Sequence, residues 1–286
     1  MEHSQLSKPL FGKELKLIAF NAPELITQEI LEEAYLLGLK LQKIFNFYDK
    51  ESELSLLNKN RSLKVSPDLL FVIKKAIEFS KLTKGRYDIS LGKQFLQRKA
   101  NQQSIALFPY SYKDIQIIKN KISLNHPEMI LDLGSIAKGY IADKIADFLK
   151  EKGLSSFLVD ARGDIIISGE PQKVNIQHPR DKEKSISSIE VKDSCIATSG
   201  DYYQYSKYFE NSHILNQKDL CSVTVIAPTL TEADAFSTSL FVLSIKEREE
   251  LIAKNPQIKV LTIDIKLNQK HYNCFSQLIR EVNNEN

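Results

Sequence analysis

Asp234 and Thr238 combine a carboxylate and a hydroxyl at a spacing that could bind a metal ion. They belong to residues 231–243, whose apolar pattern predicts a helix, and residues four positions apart share one face of a helix. Ser237 lies next to that face. Carboxylate and hydroxyl oxygens are hard ligands that suit Mg²⁺ better than zinc. An acidic residue in the first turn also has a structural explanation, because it faces the positive end of the helix dipole, so this cluster alone does not establish a metal site.

Residues 131–140 (LDLGSIAKGY) could bind an anion. The apolar run 129–133 predicts a strand, Gly134 begins a turn of small residues, and a helical pattern runs from about residue 137 to 152. A strand that turns tightly into a helix brings backbone N–H groups and the positive end of the helix dipole to one point, where a phosphate can bind. Many such units bind nothing, so the turn on its own is a modest candidate.

Residues 197–202 (ATSGDY) and 212–214 (SHI) form a third cluster. A turn rich in hydroxyls and glycine can place hydrogen-bond donors near a ligand, and His213 has a pKa range suited to proton transfer near neutrality. A lone histidine is more often a structural or surface residue. Tyr48 and Tyr140 could stack on a flat ring, although tyrosines without a ligand are more common.

The composition argues against several classes of protein. With 39 basic and 36 acidic residues the net charge is +3, and no basic run is interleaved with aromatic residues, so no nucleic-acid partner is expected. Cys195, Cys221 and Cys274 show no CxxC spacing, and their odd number favours free, mostly buried thiols over disulfides or zinc ligands. The motifs GxGxxG, GxxxxGK[ST] and GxSxG are absent, so Rossmann, P-loop and nucleophile-elbow folds have no support.

No membrane-spanning segment is predicted, because no run of about 18 uninterrupted apolar residues occurs. Residues 1–10 contain neither an apolar signal-peptide core nor a cleavage site. As written, the chain is expected in the cytoplasm. If its N-terminus is incomplete, a periplasmic or membrane-associated protein is the alternative.

The order of the predicted elements is mixed, with strands in runs rather than in strict alternation with helices. Strands are predicted at residues 13–20, 173–177, 187–191, 195–198, 222–227 and 259–265, with two more within 112–124 and two within 157–169. Helices are predicted at residues 24–47, 67–81, 137–152, 231–243 and 246–254, with a short helical piece through 58, a loop at 85–92 and a helical or irregular segment at 94–104. We therefore expect one α+β (α/β) domain over residues 1–286, with a mixed, largely antiparallel sheet, flanking helices and frayed ends at 1–10 and 281–286.

Seven blocks of the chain, in one order, resemble the ApbE family of flavin transferases, the FAD:protein FMN transferases. The blocks are residues 48–55 (YDKESELS, with Asn58 following), 87–92 (YDISLG), 131–140, 159–165 (VDARGDI), 197–202, 212–214 and 222–242. With residues 11–13 (FGK), which stand where the family has an early MGT motif, the resemblance spans about residue 11 to 243. Seven blocks in a fixed order are highly specific, so the resemblance implies a single ApbE-like domain that encloses a flavin cleft.

The resemblance implies an activity and its substrates. FAD would be the substrate, and its pyrophosphate would be cleaved with the help of Mg²⁺. FMN would pass through a phosphoester to a threonine or serine of an acceptor flavoprotein, and AMP would be released. Metal ligands carried over from the family are the backbone carbonyl of Ala137 and the side chains of Asp234 and Thr238, with Ser237 close to the metal.

The remaining site residues follow from the same resemblance. His213 is expected to act on the incoming hydroxyl, either as a general base that activates it or as a group that positions it. The residues expected to bind FAD are divided among the ring system, the ribityl chain, the phosphates and the adenosine. Tyr48, Asp88, Ile89 and Ser90 are expected on the flavin side, and Gly134, Lys138 and Tyr140 on the phosphate or adenosine side. Ile214 is expected to bind FAD as well.

The chain departs from the family pattern at several positions. Ser135 and Arg162 stand where the family has glycine, Ile89 stands where it has proline, and residues 215–219 replace a family loop. Two alternatives to the transferase therefore stay open. One is a protein that binds FAD without transferring FMN, and the other is a metal-dependent FAD pyrophosphatase in which water replaces the acceptor.

Overall fold

The computed structural model of the protein describes residues 3–99, 109–201 and 219–280. The strands are β1 (His3–Leu10), β2 (Lys13–Phe20), β3 (Ser62–Lys64), β4 (Ile115–Ile118), β5 (Lys121–Leu124), β6 (Phe157–Ala161), β7 (Asp164–Ser168), β8 (Gln172–Gln177), β9 (Ser185–Val191), β10 (Ser194–Gly200), β11 (Leu220–Ala227), β12 (Lys259–Asp264), β13 (Gln269–Tyr272) and β14 (Ile279–Arg280). The helices are α1 (Glu24–Phe45), α2 (Glu53–Asn60), α3 (Pro67–Leu82), α4 (Gly92–Lys99), α5 (Ala137–Glu151), α6 (Leu230–Val242) and α7 (Ile245–Ala253). These elements confirm the predicted α+β class.

An eight-stranded sheet organises the fold, with strand order β1-β2-β6-β7-β10-β11-β12-β13. Each neighbouring pair in it is antiparallel, which confirms the prediction of a largely antiparallel sheet. Two three-stranded sheets accompany it, with orders β14-β9-β8 and β3-β5-β4. Every residue of β11 is buried, because both faces of the large sheet are covered at its centre.

The two faces of the large sheet belong to two separate apolar cores. One core contains side chains of α1, α3, α5 and α6 together with β2, β6 and β11. The other contains side chains of β8 and β9 packed on β7, β10 and β12. Helices α5 and α6 pack on each other, and α6 also packs on β10 and β11. This arrangement places the first turns of α5 and α6 beside β7 and β10, where the polar residues described below meet.

The predicted strand at residues 129–133 is wrong. The segment makes only an isolated bridge, between Leu91 and Ile130, although its side chains keep the alternating burial expected of a strand. The Asn58 side chain takes the place of a partner strand, because its amide donates to the Leu131 carbonyl at 2.9 Å and its oxygen accepts the Leu131 N–H at 2.8 Å. The hydrophobic pattern therefore predicted correctly which side chains are buried. The backbone hydrogen bonds of Leu131 are made by a side chain on α2 instead of by a second strand.

The expectation of a frayed N-terminus at residues 1–10 is also wrong for the part that is described. Strand β1 pairs with β2 along its full length, from His3 opposite Phe20 to Leu10 opposite Lys13. Leu6 and Leu10 are buried, and the strand lies at the edge of the sheet, where a proline is tolerated. Residues 281–286, the other expected frayed end, lie outside the described residues.

Smaller differences concern element ends and weak strands. Helix α1 ends two residues before its predicted end, α4 begins at Gly92, and strands β3, β13 and β14 were not predicted. The three cysteines are free thiols, as expected, with Cys195 and Cys221 buried and Cys274 exposed. Among the described residues, none of the helices is both long and apolar enough to cross a membrane.

Candidate functional site

The α5–α6 junction is a close backbone contact. A Cβ atom on Gly139 would lie 2.3 Å from the Leu230 carbonyl oxygen, so only glycine fits there while the two helices keep this distance. The Gly139 amide donates to the Asp234 Oδ2 atom at 3.2 Å. The start of α5 therefore lies against the first turns of α6, and the carboxylate predicted to bind a metal faces the N-terminus predicted to bind an anion.

Lys138 joins two buried carboxylates at this junction. Its Nζ atom lies 2.9 and 3.0 Å from the two oxygens of Asp234 and 3.1 Å from Asp164 Oδ2. Asp234 is 3% exposed and Asp164 is 5% exposed. Two carboxylates and one ammonium leave a formal charge of −1 in a largely buried cluster, which favours a further cation.

The charges in this cluster perturb one another. Burial lowers the pKa of Lys138, but the carboxylates of Asp164 and Asp234 raise it more, so the ammonium form is favoured. Burial raises the pKa of Asp164, and the Asp234 charge raises it further, against the lowering effect of Lys138. Lys138 is therefore the group that makes it possible to bury both carboxylates.

Hydroxyl groups of β10 and α6 extend the cluster. The Ser199 Oγ atom lies 2.8 Å from Ser237 Oγ and 2.9 Å from Thr238 Oγ1. Ser237 also donates to the Asp234 backbone carbonyl at 2.9 Å. The structure thus brings the three predicted side-chain metal ligands, Asp234, Ser237 and Thr238, to one side of α6, facing β10 and the start of α5. Ala137, whose carbonyl is the fourth predicted ligand, is the first residue of α5.

The donor set fits Mg²⁺ better than zinc. Within residues 3–99, 109–201 and 219–280, no group of three or more His, Cys, Asp or Glu side chains could hold a metal ion. The predicted ligands are instead one carboxylate, hydroxyls and a carbonyl, which are the hard oxygen donors that Mg²⁺ prefers. The Lys138 ammonium already contacts both oxygens of Asp234, so a divalent cation would have to share that carboxylate with it or replace it.

The turn at the start of α5 is already occupied by a side chain of the protein. The Gly134 amide, predicted to hold a phosphate, donates to Asp132 Oδ1 at 2.9 Å. The Ala137 amide donates to the Leu133 carbonyl at 2.9 Å. Lys138 Nζ also lies 3.5 Å from the Gly134 carbonyl. In this structure the ammonium of Lys138, rather than the Gly134 amide, is the positive group at the turn.

The loop at residues 85–92 is attached to this turn. Ser135 Oγ hydrogen-bonds to the Tyr87 hydroxyl at 2.9 Å, and the Asp132 amide donates to the Ile89 carbonyl at 2.9 Å. Tyr87 is buried, and burial raises the pKa of its hydroxyl, which favours the neutral, hydrogen-bonding form. The Ser135 hydroxyl is therefore bonded inside the protein, to the loop whose residues 88–90 are predicted to contact the flavin.

The predicted flavin-side residues lie in different environments. Asp88 accepts N–H groups from Ser90 at 2.8 Å and Tyr112 at 2.9 Å, and burial raises its pKa. Ile89 and Ser90 are buried, and the Ser90 hydroxyl has no hydrogen-bond partner in the described part of the chain. Tyr48 is 64% exposed, so a planar ligand could reach its ring. Asp88 thus shapes the loop, while Tyr48 is the accessible aromatic residue.

Tyr140 belongs to an aromatic group between three helices. Its hydroxyl donates to Asp68 at 2.6 Å, and its ring lies 5.8 Å from that of Phe45 and 5.3 Å from that of Phe71, centroid to centroid. These contacts connect α5 with α1 and α3 rather than with the Asp234 carboxylate. His213 and Ile214, the two remaining predicted site residues, lie outside the described residues.

The roles of three residues at this site were not predicted from the sequence. Asp164 and Ser199 lie in matched blocks but were given no role, and Asp132 was not recognised as the acceptor of the Gly134 amide. The last could have been predicted, because an aspartate two residues before a glycine often accepts its N–H locally. At one family departure, Arg162 has a φ of 66°, a left-handed conformation that favours glycine, and its guanidinium donates to the Phe11 carbonyl.

Comparison with known proteins gives a consistent result. A family model described as the ApbE family matches residues 13–262. The chain is 29% identical over 296 residues to the FAD:protein FMN transferase of Vibrio cholerae serotype O1, covering 92% of this chain and 87% of the relative. It is 29% identical over 247 residues to the FAD:protein FMN transferase of Escherichia coli K12, covering 74% and 70%. Among solved structures, the flavin transferase ApbE from Vibrio cholerae matches with a TM-score of 0.85 at 27% identity, over 97% of this chain and 99% of that one.

Proposed function

Because the chain belongs to the ApbE family, we propose that it is an FAD:protein FMN transferase that uses Mg²⁺. The observation that carries the proposal is the cluster of Asp234, Lys138 and Asp164 at the α5–α6 junction. In it, two carboxylates lie next to an ammonium group and a helix N-terminus, which supports a site for a cation and a phosphate together. A pyrophosphate bound with a divalent cation requires both kinds of group.

Asp234, Thr238 and the Ala137 carbonyl are the proposed ligands of the magnesium ion, with Ser237 beside them. When bound, Mg²⁺ would neutralise the pyrophosphate and the charge that develops on the departing AMP. The buried cluster carries one uncompensated negative charge, which supports cation binding at this position. Ser199 would orient the Ser237 and Thr238 hydroxyls through its two hydrogen bonds.

Lys138 is proposed to bind a phosphate oxygen of FAD through its ammonium group. Its pKa lies above the usual range for lysine, because the carboxylate charges outweigh the lowering by burial, so the group stays protonated at neutral pH. The N-terminus of α5 adds the positive end of its dipole on the same side. Asp164 would keep the ammonium at the junction when Asp234 is engaged with the metal, because it lies 3.1 Å from Nζ.

Transfer is proposed as a direct displacement at phosphorus. The hydroxyl oxygen of an acceptor threonine or serine would form a bond to the FMN phosphorus, and the bond from that phosphorus to the bridging oxygen would break. The hydroxyl proton would pass to the His213 imidazole, and AMP would leave with the bridging oxygen. Tyr48, Ile214 and residues 88–90 are proposed to hold the flavin ring or its ribityl chain, and Tyr140 to support the adenosine side from the helical layer.

The experiment is a transfer assay with purified protein, FAD, Mg²⁺ and several flavoprotein domains that carry an acceptor threonine. The expected result is flavin fluorescence on the denatured acceptor and one AMP released per FMN attached. Labelling by a known transferase but not by this protein would overturn the proposal. In that case tightly bound, unconsumed FAD would indicate a binding protein, and free FMN with AMP in the absence of acceptor would indicate a pyrophosphatase.

A further inference from the structure

The N-terminus of α6 is completed by a side chain of another helix. Asp143 on α5 accepts the Leu230 and Thr231 amides, each at 2.8 Å, and the Thr231 hydroxyl also donates to it. The next two amides of α6 are satisfied locally by Thr229, through its hydroxyl and its carbonyl. The first three amides of α6 have no partner within the helix, and each is thus satisfied by a side chain, two of them by Asp143 of α5. The Ala233 amide makes the first regular bond within the helix.

Asp143 and Gly139 form one continuous contact with α6. They lie four residues apart on α5 and therefore on one face of it. Gly139 lets the Leu230 carbonyl approach closely, and its amide donates to Asp234 in the next turn of α6. A carboxylate that accepts two amides at the start of a helix also faces the positive end of the helix dipole. The contact therefore fixes both the separation of the two helices and the position of α6 along α5.

We infer that Asp143 is a positioning residue of the metal site, which holds α6 in the register where Asp234, Ser237 and Thr238 face the start of α5. The inference rests on the proposed magnesium site and adds a residue that is not one of its proposed ligands. Without the Asp143 carboxylate, two buried amides of α6 lose their acceptor, and the first turn of α6 can move relative to Lys138 and Gly139. Because the metal ligands follow in the next turns of α6, metal affinity should fall.

Metal binding in the absence of FAD tests this inference. Mg²⁺ titration by calorimetry and Mn²⁺ titration by electron paramagnetic resonance would be carried out on the full chain and on Asp143→Asn. This substitution keeps the shape of the side chain but removes its charge and one acceptor. The dissociation constant should rise by about tenfold or more, as is typical when a group that orients metal ligands is removed.

Two controls separate positioning from general loss of stability. Asp147→Asn makes the same change one turn further along α5, at an exposed position, and should leave the dissociation constant within about twofold. Val174→Ala lies in the second core, on β8, and lowers stability without touching α5 or α6. Its metal affinity should remain that of the natural chain even though its melting temperature falls.

Thr231→Val is a second, milder test in case Asp143→Asn does not fold. It removes only the hydroxyl that donates to Asp143 and should weaken metal binding in the same direction by a smaller factor. Equal affinity of the natural chain and of Asp143→Asn, or of Thr231→Val where the former is unfolded, would overturn the inference alone. A natural chain that binds neither Mg²⁺ nor Mn²⁺ would overturn both the inference and the magnesium part of the proposed function.

Discussion

Replacing Asp234 by alanine should reduce stability as well as metal binding. The carboxylate is 3% exposed, and it accepts from Lys138 at 2.9 and 3.0 Å and from the Gly139 amide at 3.2 Å. A hydrogen bond to a charged group contributes about 1.5–3 kcal/mol, and removing one partner of a buried ion pair costs about 3–5 kcal/mol. We expect Asp234→Ala to lower the free energy of unfolding by about 2–3 kcal/mol. This is less than the full cost of breaking a buried ion pair, because Lys138 keeps Asp164 as a partner.

Urea unfolding followed by far-ultraviolet circular dichroism measures this loss, with and without Mg²⁺. At a Mg²⁺ concentration about 100 times the dissociation constant, the natural chain should gain about 2.7 kcal/mol by mass action, whereas Asp234→Ala should gain almost nothing. Glu232→Ala is the matched control, because Glu232 is an acidic residue on the same helix. Its ion pair with Lys75, 3.1 Å long and partly exposed, should contribute less than about 1 kcal/mol.

Two results would refute this reasoning. A loss below about 0.5 kcal/mol in Asp234→Ala, the range of an ordinary surface substitution, would mean that the ion pair with Lys138 does not stabilise the fold. A gain from Mg²⁺ equal to that of the natural chain would mean that Asp234 is not a ligand. The two results are independent, so the experiment tests the structural and the metal-binding roles of this carboxylate separately.

Three further predictions concern the framework around the site. Ser135→Gly and Tyr87→Phe should each lower the free energy of unfolding, measured in urea, by about 0.5–1.5 kcal/mol. Because both variants remove the same hydrogen bond, the double variant should lose less than the sum of the two. Strict additivity would contradict that bond. Gly139→Ala should lower the free energy of unfolding by about 1–3 kcal/mol, because its Cβ would lie 2.3 Å from the Leu230 carbonyl oxygen. An unchanged unfolding midpoint would exclude this contact. Asn58→Ala should lower the free energy of unfolding by about 1–3 kcal/mol, because the carbonyl and the N–H of Leu131 both lose their partner. Asn58→Asp should keep only the bond to the N–H. Hydrogen exchange at that N–H distinguishes the two variants.

Local patterns in the sequence predicted elements whose stability depends on one buried face. The helical period gave α5 within one residue of its observed end, and Ser66 caps α3 as expected, its hydroxyl accepting the Leu69 amide. The β-branched run at residues 222–227 became the fully buried centre of the large sheet. In each of these elements, the residues that determine the structure are adjacent in sequence or one helical turn apart.

Contacts between distant residues could not be predicted in this way. Lys138 and Asp234 are 96 residues apart, and periodicity indicates which face of a helix is buried but not what lies opposite it. The strand predicted at residues 129–133 failed for the same reason. Its burial pattern was correct, but the partner is the side chain of Asn58, 73 residues away, instead of a strand. Asp164 was missed because its importance comes from Lys138, and only the fold brings them together.

The two half-sites suggested by the sequence depend on each other physically. A buried carboxylate at Asp234 is costly without a compensating charge, and Lys138, the residue expected to contact phosphate, supplies that charge in this structure. Replacing Lys138 with an uncharged residue would therefore leave Asp164 and Asp234 as two buried carboxylates with no ammonium between them. Lys138, proposed to bind phosphate, thus cannot be replaced without also changing the charge and stability of the proposed metal site. The effect of such a substitution on FAD binding can be interpreted only beside that of Asp234→Ala.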